Sequence, residues 1–216
     1  MHNDYIYKDI KIKDVRVNSG DSGFLIYNQD VAVLYDSGFS FTGFDMAENI
    51  KAILGERKLD YILLTHSHYD HVLGSANVLR YWPDAKVVAG SYTADIFKRP
   101  GARAVMMEMD NKFAEKCGIC EYEYCGDELR VDIPVEQGDV IVAGNLRFKV
   151  ISLPGHTKCS IGFYLEEYSL LLSSETLGVY DGNKAIMPSF LVSFKDSLES
   201  IDKIVKVKPE RILCPH

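Results

Sequence analysis

Thr65-His66-Ser67-His68-Tyr69-Asp70-His71 follows directly on the apolar run Tyr61-Ile62-Leu63-Leu64. A short apolar run that stops at polar residues predicts a buried strand, here with histidines at its exit. Side chains of extended backbone alternate with a period of two, so His66 and His68 share one side. Asp70 and His71 come where the chain must turn toward the next helix, predicted over Gly74–Tyr81. Three histidines and an aspartate this close cannot be buried cheaply unless a cation neutralises and orders them. Neutral imidazoles with a carboxylate at a strand exit are ligands for zinc or a similar first-row divalent ion.

The same placement recurs further along. Leu153-Pro154-Gly155-His156-Thr157 follows the predicted strand Leu146–Ser152, and its Pro-Gly turn throws His156 off the end of the sheet. Glu175 leaves the apolar strand Leu170–Ser173, and His216 follows the strand Arg211–Cys214. Five of the six histidines, with Asp70 and Glu175, therefore stand at predicted strand exits. One edge of the sheets is expected to gather seven donor side chains.

Around these pieces the chain reads as short strands, then alternating strands and helices. Strands are predicted at Val15–Val17, Gly23–Tyr27, Val31–Tyr35, Lys86–Ala89, Val140–Val142 and Ile161–Leu165. Asp45 is the expected cap of a helix over Met46–Leu54 that Gly55 terminates. A short helix at Thr93–Phe97 is expected to stop at Pro100-Gly101, with a second helical stretch over Ala102–Lys116. Ser193 is the expected cap of a last amphipathic helix, with Leu198, Ile201, Ile204 and Val205 on its apolar face. No internal repeat or Gly/Ser linker divides the chain, so one domain is expected over residues 1–216. Two β-rich blocks, each followed by helices, imply a four-layer αββα sandwich: two sheets face to face with helices outside.

With 216 residues, 47% of them hydrophobic and 25% charged, the chain is neither disordered nor fibrous and can bury a core without staples. No apolar run approaches the roughly 18–20 residues of a membrane span, and the N-terminal MHNDYIYKDIKIKDV has no apolar leader core. Five cysteines are an odd count and too few for a disulfide scaffold, which favours a reducing cytoplasm. Residues 108–139 hold ten carboxylates against Lys112, Lys116 and Arg130, leaving 21 charges of each sign elsewhere. With no basic stripe to displace counterions, nucleic acid is not the expected partner; a small molecule is. Residues 98–138 join a short helix to a strand over a length far beyond an ordinary connector, so a lid or substrate-facing insertion is expected there. Lys98, Arg99 and Arg103 are the cations that would offset its acidity. Cys117, Cys120 and Cys125 have CxxC-type spacing but no histidine nearby to complete a zinc site, and are read as ordinary thiols. Cys159 lies three residues past His156, and a metal-binding histidine cannot also serve as its base.

The stretch His66-Ser67-His68-Tyr69-Asp70-His71 has the H-x-H-x-D-H form of the metallo-β-lactamase-fold hydrolases, and the chain resembles that family from about Val15 to His216. The later Pro-Gly-His-Thr and the apolar strand ending in an acidic residue match it in order. The resemblance implies that His66, His68 and His156 hold one metal, that Asp70, His71 and His216 hold a second, and that a carboxylate bridges them. Glu175 occupies the bridging slot, where the family usually has Asp, a departure that bears on the metal–metal distance and on which metal is held. Two divalent ions are implied, zinc before iron or manganese, sharing a water that they activate as hydroxide. Asp70 would double as ligand and orienter of that hydroxide, with Thr65 and Thr157 as hydrogen-bond donors behind the ligands.

Within the family, the commonest zinc β-lactamases lack the equivalent of His71, are secreted, and use cysteine where Glu175 stands. The flavin-linked diiron oxygen reductases carry Glu in place of His68. Nuclease members carry extra domains or a basic arm. What remains resembles the glyoxalase II, lactonase and acyl-CoA thioesterase branch, so cleavage of a thioester or lactone is the expected reaction. The segment from Gly178-Val179-Tyr180 to Phe194 resembles acyl-thioester-cleaving members more than glutathione-specific ones. A phosphodiesterase, or a metal-binding sensor with little turnover, is the alternative. Cys214-Pro215-His216 stops where the family expects a ligand histidine and then a glycine-rich turn, so a longer natural protein with further C-terminal helices is expected.

Overall fold

The computed structural model describes residues 4–180 and 185–216. Residues 1–3 of the N-terminal stretch, and residues 181–184 of the segment after Tyr180, lie outside the described residues. Seven strands form the larger sheet: β1 (Asp4–Tyr7), β2 (Ile10–Asp14), β3 (Phe24–Tyr27), β4 (Ala32–Tyr35), β5 (Tyr61–Leu64), β6 (Lys86–Gly90) and β7 (Ile133–Val135), in that spatial order. The smaller sheet is built from β8 (Val140–Ala143), β9 (Leu146–Ser152), β10 (Ile161–Leu165), β11 (Leu170–Leu172) and β14 (Arg211–Leu213), with β14 beside β11. β12 (Val179–Tyr180) and β13 (Ile186–Met187) pair as a separate ribbon.

Alternation explains the layers. Ile26, Val33, Tyr35, Leu63 and Val88 of the larger sheet face Phe148, Val150, Phe163 and Leu172 of the smaller one, and this is the central core. The intervening residues Leu25, Leu34, Ile62 and Val87 point the other way, onto α1 (Gly43–Leu54), α2 (Tyr69–Val72) and α3 (Gly74–Tyr81). The outer face of the smaller sheet packs Ile151 and Leu171 on Ile204 of α6 (Phe194–Val207). Helix, sheet, sheet and helix thus form the expected αββα order. α4 (Ser91–Phe97) and α5 (Pro100–Lys116) complete the helices.

Strand direction places the site. β4 runs parallel to β5, so Asp36 and Thr65-His66 leave the larger sheet at one edge. β9 and β11 are both antiparallel to β10, and β14 is parallel to β11, so His156, Glu175 and His216 leave the smaller sheet at a common edge. The sheets are laced there: the Tyr35 hydroxyl donates to the carbonyl of Ser173, and the Ile161 amide bonds the Thr65 carbonyl at 2.9 Å.

Four local expectations are corrected. Val15–Val17 is not a strand, because the Asp21 carboxylate takes the amides of Val17 and Asn18 into a turn; the strands lie earlier, as the β1–β2 hairpin. Asp45 does not cap α1: the helix begins at Gly43, and Asp45 sits in its first turn, where a carboxylate favours the positive end of the helix dipole. Pro100 starts α5, since a first-turn proline sacrifices no helical hydrogen bond. On α6 the buried positions are Ser197, Ser200 and Ile204, while Leu198 and Val205 are exposed. Small serines let the helix approach the 154–156 turn, with Ser200 Oγ donating to the Pro154 carbonyl at 2.7 Å. The Ser193 cap is as expected, its hydroxyl accepting the Asp196 amide.

Candidate metal centre

The seven expected donors converge as two groups with one member in common. His66, His68, His156 and Glu175 offer donor atoms all within 4.8 Å of one another, and so do Asp70, His71, Glu175 and His216. Glu175 spans both: Oε2 lies 2.7 Å from Nε2 of His156, and Oε1 lies 2.8 Å from Nε2 of His216. It stands in the first turn after β11, close enough for the longer side chain to reach both groups.

Hydrogen bonds behind the imidazoles set which nitrogen faces inward. Nδ1 of His71 donates to Asp36 at 2.8 Å, turning Nε2 toward Asp70, Glu175 and His216. The Thr65 hydroxyl donates to Asp36 at 2.9 Å and so can accept the Nδ1 proton of His66 at 3.0 Å. Nε2 of His66 is then an unprotonated nitrogen, buried with no hydrogen-bond partner. Nδ1 of His156 donates to the carbonyl of Ser189 at 2.7 Å, with the Ser189 hydroxyl 2.8 Å away. Thr65 therefore stands behind His66, though as the acceptor of its proton rather than as a donor to it. Thr157 instead places its hydroxyl on Ser160 and Cys159, within the turn.

These residues fit a pair of cations. An orphaned imidazole nitrogen inside a protein costs free energy that a metal–nitrogen bond would recover. Nε2 of His156 stands 2.7 Å from a carboxylate oxygen of Glu175 while Nδ1 faces Ser189, a pairing that a cation between the two would satisfy. Burial, reinforced by the neighbouring histidines, holds His66 well below its ordinary pKa and brings His68 to about 4, so both are neutral, the ligand form. Burial would push Glu175 upward, but hydrogen bonds from His156, His216 and His71 hold it far below the usual carboxylate range. Burial would lower His71, and the carboxylates of Asp70 and Asp36 overcome it and raise the group. The second group is thus a negative field awaiting positive charge.

Asp36 and Ser189 were not among the sequence-derived candidates. Asp36 carried a usable signal, since an acidic residue follows the apolar run of β4 just as Thr65-His66 follows β5. Ser189 carried none, because its contact with His156 depends on how the 185–193 segment folds back. Cys117 and Cys120 are exposed and Cys125 is buried, and among the described residues none joins a group of metal-binding geometry. Cys159 is buried against Ser67 and Thr157.

A four-layer αββα sandwich with histidine–carboxylate groups at the shared edge of its sheets defines a class of metal-dependent hydrolases. The chain belongs to the metallo-beta-lactamase superfamily, whose family profile matches residues 17–216. It is 26% identical over 166 residues to the metallo-beta-lactamase fold-containing protein ST1585 of Sulfurisphaera tokodaii, covering 74% of this chain and 60% of that protein. A hydroxyacylglutathione hydrolase of Legionella pneumophila is 26% identical over 140 residues, covering 62% of this chain and 42% of that one. The chain thus spans less than two thirds of the length of these relatives. Among solved structures, ST1585 superposes with a TM-score of 0.67 at 21% identity over 97% of this chain and 74% of that one. The MIM-2 metallo-beta-lactamase gives 0.67 at 21% over 98% and 74%. Both show the shared fold. Among the described residues no helix is long and apolar enough to cross a membrane.

Proposed function

We propose that this chain is a hydrolase of thioesters or lactone-type esters that works with two divalent metal ions, zinc foremost. His66, His68 and His156 would hold one ion, Asp70, His71 and His216 the other, with Glu175 shared. The observation that carries this reading is the position of Glu175, with one carboxylate oxygen against each histidine group. When bound, such ions supply an acidified water as nucleophile and polarise the scissile carbonyl.

The chain's own residues do the rest. Burial would raise Asp70, but His71 and His216 hold it below its ordinary pKa, so it is ionised and able to accept a hydrogen bond from the attacking water. Asp36 and Ser189 engage the outer nitrogens of His71 and His156, which aims Nε2 of each inward, where it would hold an ion. Relatives named as hydroxyacylglutathione hydrolases support the thioester reading over a phosphodiester one. The reach of Glu175 to both groups supports a working double site over a sensor with little turnover.

Elemental analysis of the purified protein, with assays on acyl-CoA, acyl-glutathione, lactone and phosphodiester substrates, tests this. The expected result is two metal ions per chain and turnover of a thioester or lactone, abolished in a folded His68→Ala variant. Trace metal only, or faster phosphodiester cleavage, overturns it.

A further inference from the structure

We propose that the substrate presents an uncharged, apolar group, an aryl ring or alkyl chain, beside the scissile bond, and that Phe113, Tyr69 and Tyr180 select it. This rests on the hydrolase reading above and names its substrate class. A cleft of about 840 Å³ opens from Asp70, Glu175 and His216, a volume suited to a small molecule. One wall is aromatic. Phe39 stacks on Phe113 with ring centres 4.7 Å apart, and Tyr69 lies 5.6 Å from Phe39. Tyr69 belongs to the histidine stretch itself, between His68 and Asp70, so the wall is in register with the candidate metal ligands. Val179 and Tyr180 line the same cleft, four and five residues beyond Glu175, and Tyr180 is half exposed.

Phe113 is the contribution of α5, the helix inside the long acidic segment. It is held firmly. One turn earlier the buried Asp110 accepts the Ser40 amide at 3.1 Å and the Tyr122 hydroxyl at 2.6 Å. At the other end of the helix, Arg103 donates to the carbonyls of Phe97, Asp127 and Leu129. Gly20 makes room for the ring, since a Cβ there would lie 2.9 Å from its edge. Phe113 and Tyr69 are partly buried against Phe39, yet both still line the cleft beside the reactive groups, where a ligand would meet them.

Charge points the same way. Among the described residues lining the cleft, Arg16 is the one cationic side chain apart from histidine, and both Nε and Nη2 are engaged by the Asp14 carboxylate at 2.9 and 2.7 Å. Lys112 and Lys116 lie beyond Tyr69 and Phe113 in a separate depression, and Lys112 is paired with Glu108. A polyphosphate or glutathionyl group laid in the cleft would lose water without gaining a free cation among the described residues.

The test uses the metal-loaded protein and thioesters of one acyl group on benzyl mercaptan, glutathione and coenzyme A, together with acetyl and phenylacetyl esters of one thiol. Binding of phenylacetamide, measured by saturation-transfer NMR on metal-loaded and metal-free protein, gives a readout independent of turnover. We expect phenylacetyl to exceed acetyl in kcat/KM by about tenfold or more, and the benzyl thioester to exceed the coenzyme A ester. Phe113→Ala should collapse the phenylacetyl-to-acetyl ratio through KM and abolish phenylacetamide binding; Tyr180→Ala, on a two-stranded ribbon away from the core, serves if Phe113→Ala does not fold. Phenylacetamide binding without hydrolysis of any ester would sustain the apolar site and sink the hydrolase reading. Turnover that favours coenzyme A or glutathione esters, with no phenylacetamide binding, overturns the inference and leaves the hydrolase reading standing.

Discussion

Asp36 accepts a 2.8 Å hydrogen bond from Nδ1 of His71, and neither residue is exposed to solvent. The same carboxylate takes the Thr65 amide and hydroxyl, so one side chain at the exit of β4 fixes the exit of β5 and orients two histidines. Asp36→Asn is expected to weaken metal binding in the Asp70–His71–His216 group by about 10–100-fold, the usual cost of losing a partner behind a ligand. Asn tolerates the positive φ of 53° that Asp36 adopts, so the backbone should hold. Competition with a graded series of chelators measures the loss; unchanged affinity would show that Asp36 only supports the loop.

Glu175 is the hinge of the double site, since both donor groups include it. Glu175→Gln keeps the size and removes the charge, so it should lower occupancy of the Asp70–His71–His216 group and cut turnover sharply. Chelation of the wild-type protein should have a matching effect on stability. Ligands at about 1,000 times their Kd add roughly 4 kcal/mol, which in a chain of this size is on the order of 8–16 °C in Tm. Elemental analysis and thermal scans with and without chelator check both. Full metal content in Glu175→Gln would leave the carboxylate as a turn residue.

Much of this site was legible because each donor follows an apolar strand, and strand exits are visible as places where an apolar run meets His, Asp or Glu. β5, β9, β11 and β14 all show that pattern, and together with their helices they imply the layered fold. Other features depended on contacts the chain does not advertise. β7 carries Pro134 and is short, so its pattern is weak. α6 buries two serines because close approach to the 154–156 turn mattered more than its apolar stripe. Ser189 meets His156 only through a segment 33 residues further along.

Burial pushes the Asp110 carboxyl up to about 6, against hydrogen bonds from Tyr122 and the Ser40 amide and with Asp21 adding to the rise. A carboxyl whose folded pKa exceeds its ordinary 3.8 favours the fold when protonated. Its contribution is greatest below pH 3.8 and is lost as pH rises through 6, a difference of about 3 kcal/mol in all. Roughly half of that falls between pH 5 and 7.5. Asp110→Asn removes the titration, so its Tm relative to wild type should rise by about 3–6 °C between those two pH values. Parallel thermal scans at both pH values check it; a constant difference would mean that Asp110 is not the titrating group.

Gly155 adopts φ +137°, and a Cβ there would run into Ser197 on the first turns of α6. Its carbonyl also accepts the amides of Val192 and Ser193, both at 3.1 Å, which draws the cap of α6 against the turn that carries His156. Ser189, four residues before Ser193, holds the Nδ1 of that histidine, so turn, segment and helix cap act as one unit. Gly155→Ala would strain the backbone and push this unit apart, at a cost of about 2–3 kcal/mol. That corresponds to a loss of roughly 4–12 °C in Tm for a chain of this length. His156 should move away from Glu175 as well, so metal content in the His66–His68–His156 group should fall in the protein that remains folded. Ser193→Ala is the comparison: it removes the helix cap, at about 1 kcal/mol, while leaving the Gly155 contacts in place. Thermal scans and elemental analysis of the two variants separate the effects. A Gly155→Ala protein with wild-type metal content and Tm would show that the turn can open without disturbing His156.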